Sequence, residues 1–244
     1  MEQRKFLEAC KTGDTTTLKS LDYSKIDIHD WYEYAFRWAC QNGHLDVVKY
    51  LISLEPDHDR INIHACDEEA FRWACQFGNL DVVKYLISLE PDHNRIDIHA
   101  ENEHAFLFAC LNGHLDVVKY LISLEPDHGH IDIHAYGGHA FRWACENGHL
   151  PIVKYLLSLE PDHGHINIHA DIDYEFRNGG FHIKHLLIQR DPNYNWKQVN
   201  GYSDYRKELE QIVECLTTLH QNLIQFSTDI LELNVIGIIK EYLL

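Results

Sequence analysis

The chain is poor in positive charge: 21 Lys and Arg stand against 38 Asp and Glu, a formal charge of -17 over 244 residues. That leaves no basic stripe to follow a phosphate backbone, which argues against nucleic acid as a direct partner. Long apolar runs are missing as well, whereas a membrane-spanning helix needs about 20 such residues. The start, Met1-Glu2-Gln3-Arg4-Lys5, is charged at once, so neither a transmembrane helix nor a signal peptide is expected and a soluble intracellular chain is. No glycine-rich phosphate loop, nucleophile elbow or pair of catalytic carboxylates stands outside a repeated pattern, so no enzymatic activity and no cofactor are expected.

What is present is repetition. Ala35-Phe36-Arg37-Trp38-Ala39-Cys40 returns in closely similar form at Ala70 to Cys75, Ala105 to Cys110 and Ala140 to Cys145, each copy 35 residues after the last. A strict period of this length signals stacked units that bury a continuous core only together. Of the seven cysteines, Cys40, Cys75, Cys110 and Cys145 share one slot, and Cys10 fits it in a shortened first unit. Stacked helices lie about 8–10 Å apart, and a disulfide needs Cα atoms within about 7 Å. These cysteines therefore read as small buried core residues, while Cys66 and Cys215 lie off the register as free thiols of a reducing compartment.

One full unit runs from Ile26 to Arg60. Ile26-Asp27-Ile28-His29 alternates as an extended arm with one covered face. Glu33 to Asn42 then reads as a helix apolar on nearly all sides, which neighbours must cover on more than one flank. Gly43 suits a left-handed helix stop, and Asp46 puts a negative charge on the first turn of a second helix, Leu45 to Leu54. Pro56 prevents that helix from continuing. Pro151 replaces this acid in the fourth unit, which proline tolerates only in a first helical turn.

Asn42-Gly43-His44-Leu45-Asp46-Val47-Val48-Lys49-Tyr50-Leu51 recurs at Asn112 to Leu121, and nearly so at Phe77 to Leu86 and Asn147 to Leu156. On these residues the unit resembles the ankyrin repeat. The Thr-Pro-Leu-His start of that family is replaced by Tyr34 to Arg37 and its copies, and the period is 35 against about 33. The surplus falls in the loop Leu54 to Arg60, and the combination is similar to the ankyrin-repeat families of giant amoeba-infecting DNA viruses. The resemblance implies an all-α solenoid whose concave surface, made of arms and first helices, binds a protein partner without catalysis.

The ends differ from the middle. Phe6, Ala9, Cys10, Gly13, Leu18 and Leu21 match Phe36 to Leu51, so residues 1–25 read as a capping half-repeat before four regular repeats over 26–165. Ile166 to Ala170, Phe176 and Arg177 keep the period, but four residues are missing before Asn178-Gly179, making 166–200 a degenerate fifth repeat and loop. Residues 201–244 read as a helical cap: Leu209, Ile212, Val213, Leu216, Leu219 and Leu223 form one stripe, and Ser227-Thr228-Asp229 can start a last helix ending at Leu244. An alternative role for these helices is to recruit an effector such as a ubiquitin-ligase component while the repeats hold a target. No F-box-like motif accompanies that reading.

Nineteen histidines raise the question of metal, most pointedly along His128, His130, Asp132 and His134. The set is not kept from copy to copy, since Arg60 and Arg95 take the place of His130 and Asn62 and Asn167 that of Asp132, and no metal site is expected. His29, His64, His99, His134 and His169 instead fit hydrogen bonds within the arm. A pH response is the remaining possibility, because protonating every histidine moves the charge from -17 to about +2.

Specificity should lie where copies disagree. Glu33-Arg37-Gln41, Glu68-Arg72-Gln76 and Gly138-Arg142-Glu146 read as a wet stripe with i,i+4 ion pairs, whereas the third unit carries Glu103-Leu107-Leu111. Leu107 and Leu111 are thus expected as an exposed apolar centre ringed by Arg72 and Arg142, or else as local repacking around Phe108. The arm tips vary most, and Trp31, Tyr32 and Tyr136 are the candidate aromatic anchors, with Glu68 and Glu103 beside them. A monomer with one protein partner of unknown identity is expected.

Overall fold

A computed structural model describes residues 1–54, 60–90, 94–160, 162–169 and 178–224, with side chains to 219. The loop Glu55 to Asp59, the tip Asp171-Ile172-Asp173, Phe176-Arg177 and the terminal helix proposed from Ser227 lie outside the described residues. Two compact units are present, Met1–Ile166 and Asn167–Leu244.

The first unit is built of helix pairs. They are α1 (Glu2–Thr12) with α2 (Thr15–Ser20), α3 (Asp30–Gln41) with α4 (Leu45–Ser53), α5 (Ala65–Gln76) with α6 (Leu80–Ser88), α7 (Ala100–Asn112) with α8 (Leu115–Ser123), and α10 (Ala135–Glu146) with α11 (Leu150–Ser158). A single turn, α9 (Glu125–His128), follows α8. First helices pack on first helices in the order α1, α3, α5, α7, α10, and no strand occurs among the described residues. The helices α4, α6 and α8 have one sequence, Leu-Asp-Val-Val-Lys-Tyr-Leu-Ile-Ser, and bury both valines and the second leucine of each copy, as Val47, Val48 and Leu51 do. Pro151 sits in the first turn of α11, the position the sequence requires of it.

The core is a column of identical residues. Phe6, Phe36, Phe71 and Phe106 are completely buried, and beside them Cys10, Cys40, Cys75, Cys110 and Cys145 are equally inaccessible. All seven cysteines are free, with Cys66 and Cys215 exposed. Burial pushes the Cys10 thiol up to about 12 and also raises those of Cys40, Cys75 and Cys110, which suppresses the reactive thiolate. A native-state thiol assay should therefore label Cys66 and Cys215 alone, the remainder reacting only after unfolding; rapid labelling of any repeat-slot cysteine would contradict this packing.

Glycine between the two helices of a pair is required twice over. Gly113 has φ 86, and a Cβ there would lie 2.6 Å from His149 Cε1 of the following pair. The His149 ring crosses that space because its Nε2 hydrogen-bonds the Leu111 carbonyl at 2.9 Å. His44 to Lys11 (2.9 Å) and Asn79 to Gln41 (2.7 Å) repeat the arrangement, so α4, α6 and α11 are tied to the exposed carbonyls ending a preceding first helix.

The second unit holds α12 (Phe181–Arg190) and α13 (Tyr202–Ile224). Phe181 stacks on Tyr205 at 5.2 Å, and His185 Nδ1 pairs with the Tyr205 hydroxyl at 2.8 Å. Trp196 is buried and donates to the Asp191 carbonyl at 2.7 Å. Along α13, Leu209, Ile212, Val213 and Leu216 of the expected apolar stripe are half-buried, Leu219 is exposed, and the Leu223 side chain lies outside the described residues.

Candidate functional site

The first four arms each end in a turn that a regular helix would not predict. Trp31, Tyr32 and Glu33 have φ of 54, 56 and 64, and the same left-handed run recurs at Cys66 to Glu68, Glu101 to Glu103 and Tyr136 to Gly138. Left-handed backbone costs a non-glycine residue roughly 1–2 kcal/mol, so the turn must be held from outside. Two devices hold it. Arg37 donates Nε to the Tyr32 carbonyl (2.9 Å) and Nη2 to that of Trp31 (2.8 Å). Arg72 repeats this on Asp67 (2.7 Å) and Cys66 (3.0 Å), and Arg142 reaches the Tyr136 carbonyl.

The second device is a carboxylate beneath the turn. Glu33 Oε1 accepts from His29 Nδ1 (2.8 Å) and from the backbone N–H of Asn62 in the next arm (3.1 Å). Glu68 does the same with His64 (2.7 Å) and Asp97 (3.2 Å), and Glu103 with His99 (2.8 Å) and Asp132 (3.1 Å). These buried carboxylates link successive arms.

This geometry corrects the reading of the stripe. Glu33, Glu68 and Glu103 are 5, 6 and 5 % exposed, Arg37 is 8 % exposed, and Arg72 and Arg142 are half-buried. In the first two units this is not a wet i,i+4 pair: Glu33 and Glu68 lie in the left-handed turn and reach His29 and His64, while Arg37 and Arg72 brace the tip carbonyls. Leu107 is 2 % exposed and Leu111 half-buried. The slot that Leu107 fills faces the next unit, where Arg37 pairs with Glu69 and lies over Trp73 at 5.6 Å. An exposed leucine centre is thus excluded, and Leu107 belongs to the packing between units.

The tips themselves are open. Trp31, Tyr32 and Tyr136 are 77, 78 and 59 % exposed, and the pairs Cys66-Asp67 and Glu101-Asn102 are exposed between them. Behind the tips, the first helices present Trp38, Trp73, Phe108 and Trp143, each half-buried, with His104 stacked on Phe108 at 4.0 Å. Phe77, 48 % exposed, was not singled out by sequence. Its signal was available: the other three units carry Asn42, Asn112 or Asn147 there, whose amides donate to the preceding helical turn.

Three histidines titrate in directions the geometry sets. Burial alone would lower His99, but its hydrogen bonds to Glu103 and to the His128 carbonyl outweigh this and raise it above 6.5. Burial and the Arg72 charge lower His104, and burial with neighbouring His182 lowers His185. NMR titration should place His99 above, and His104 and His185 below, the ordinary histidine value; the reverse order would show that the Glu103 bridge does not form in solution.

Stacked helix pairs joined by extended arms, with exposed variable tips over a uniform frame, define a repeat scaffold of the all-α solenoid class. The chain belongs to the ankyrin-repeat family: a profile of ankyrin repeats in three copies matches residues 6–102 and 73–169. A comparison with curated proteins gave no match.

Proposed function

We propose that the row of arm tips and the adjoining face of the first helices form a noncatalytic docking surface for a protein segment. The observation that carries this reading is the pattern of exposed tips: aromatic at Trp31-Tyr32, acidic at Asp67 and Glu101, aromatic again at Tyr136. Exposed aromatic side chains offer large contact area at low entropic cost, and the acids between them favour a segment with basic residues in its middle and apolar residues at its flanks. Ankyrin repeats are generally protein-interaction modules, which agrees with this assignment. The likeness to giant-virus ankyrin families extends it to a partner in a host cell.

Selection from a random-peptide display library tests the proposal directly. Peptides with the basic-centred, apolar-flanked pattern should be enriched on the wild-type chain and lost with Trp31→Ala/Tyr32→Ala, while Phe77→Asn leaves them bound. Enrichment that survives the tip variant, or depends on Phe77, would move the site elsewhere. A two-partner adaptor is the second reading, favoured by the separate compactness of residues 167–244. It requires that fragment to capture a protein of its own.

A further inference from the structure

One side-chain cluster lies away from the arm tips and combines residues of two successive repeats. Glu125 opens α9, His130 follows Gly129 just beyond it, and His163 belongs to the equivalent loop one repeat later. One ligand atom from each lies within 4.8 Å of the other two. Glu125 Oε2 is 3.2 Å from His130 Nδ1 and 3.4 Å from His163 Nε2. A tetrahedral ion with ligands at 2.0–2.1 Å separates those ligands by about 3.3–3.4 Å, so two of the three edges already have the right length.

Two of the three groups are held in place for reasons unrelated to any ion. Glu125 Oε1 accepts the Ile131 backbone N–H at 3.1 Å, as Glu90 and Glu160 accept those of Ile96 and Ile166, which leaves Oε2 to face the histidines. The His163 side chain is 6 % exposed, its carbonyl is fixed by His134 Nε2 at 2.9 Å, and its Nδ1 is buried with no hydrogen-bond partner. His130 is 60 % exposed and stacks on His163 at 4.1 Å with the rings 11° from parallel. Ring-plane lone pairs do not converge from a parallel stack, so His130, on the solvent side, is the group that turns to close the site.

The preceding repeat supplies a natural comparison. There Glu90 Oε2 lies 3.7 Å from His128 Nε2, but Arg95 occupies the place of His130 and directs Nε at His128 Nδ1 from 3.3 Å. An arginine cannot ligate a cation and repels one. The carboxylate, buried imidazole and solvent-facing imidazole therefore coincide at one junction among the described residues. The alternation of His128, His130, Asp132 and His134 along a single arm did not reveal it, because the third ligand comes from the next repeat.

We propose that Glu125, His130 and His163 form a site for a borderline transition-metal ion of the zinc type, with water completing the coordination. Two imidazoles and a carboxylate suit Zn²⁺, Co²⁺ or Ni²⁺ rather than Ca²⁺ or Mg²⁺, which favour oxygen ligands. Bound there, the ion ties the third and fourth repeats together.

The test uses the full chain without a histidine tag, stripped with chelator and titrated with Co²⁺ by visible absorption and with Zn²⁺ by calorimetry and thermal melting. The wild type should take up one equivalent with the strong visible bands of tetrahedral Co²⁺, and Zn²⁺ should raise its melting temperature. Changing an outer-shell partner of a metal typically costs 10–100-fold in affinity, so loss of a ligand in His130→Arg should cost at least about tenfold. That variant installs the residue the previous repeat carries and should fold normally by circular dichroism. His165→Arg, changing a histidine 82 % exposed and outside the cluster, should bind as the wild type does. Uptake no tighter in the wild type than in His130→Arg, or octahedral Co²⁺ spectra in both, would overturn the proposal.

Discussion

Phe106→Ala is expected to destabilise the repeat array by about 3–5 kcal/mol, the range for removing a fully buried phenylalanine, and to divide its unfolding into two steps. Phe106 is completely inaccessible and stands in the column with Phe36 and Phe71. In a stacked array each unit contacts only its neighbours and draws stability from those junctions, so a defect in the middle weakens both junctions it shares. The tryptophans make the division measurable. Within the array Trp31, Trp38 and Trp73 precede the third repeat and Trp143 follows it, Phe108 stands where the third repeat would carry its own, and Trp196, in the second unit, is changed to Phe throughout. Urea unfolding of Phe106→Ala, combined with Trp→Phe changes on one side or the other, should give two separated midpoints. Coincident midpoints on both sides, or a loss below about 1 kcal/mol, which is the size of a surface substitution and not of a core cavity, would show that the column does not couple the repeats.

The second large effect belongs to the carboxylates under the tips. Glu103→Ala removes the acceptor shared by His99 Nδ1 and the Asp132 N–H, leaving two polar groups without a partner at about 1–3 kcal/mol each. A loss of about 2–4 kcal/mol follows, less where water enters. This effect carries a pH signature. His99 contacts Glu103 through Nδ1 and the His128 carbonyl through Nε2, two acceptors that the ring satisfies together only when both nitrogens are protonated. Its value is raised in the folded state, so the stabilisation it contributes is complete below the ordinary 6.5 and fades as pH rises through the higher folded value. Glu103→Gln should accordingly cost more stability at pH 6 than at pH 8 in parallel denaturation curves. An equal cost at both would detach His99 from the bridge.

Much of the frame could be read from repetition itself. The slots of Phe36, Cys40 and Gly43 recur in every copy, and a residue kept at fixed spacing in stacked units has a packing or backbone reason. The second helix was legible to its ends because Gly43 and Leu54 bracket it, with α4 running Leu45–Ser53. The arm tips were legible as exposed positions but not in their conformation. Trp31-Tyr32 and Cys66-Asp67 carry no glycine, and only Gly137-Gly138 hints at a left-handed turn. Assuming a right-handed helix from Glu33 onward then placed that glutamate, and with it Arg37 and Leu107, on the wrong side. Interactions between copies were the least legible. Periodicity shows that units stack but not which side chain of one meets which of the next, as the pairing of Arg37 with Glu69 illustrates.

The arginine clamp has a consequence for recognition that reaches beyond stability. Tips one and two are braced by Arg37 and Arg72, and tip four combines Arg142 with Gly137 and Gly138, residues at ease in that backbone. Tip three has Leu107 in place of the guanidinium, so the carbonyls of Glu101 and Asn102 lose that brace while their backbone stays left-handed. Stiffness therefore varies along the row. On the docking reading proposed above, a ligand spanning the row would meet braced contacts at tips one, two and four and would itself have to order tip three, losing conformational entropy there. One substitution in the frame, leucine for arginine at 107, thereby sets tip three apart from the other three.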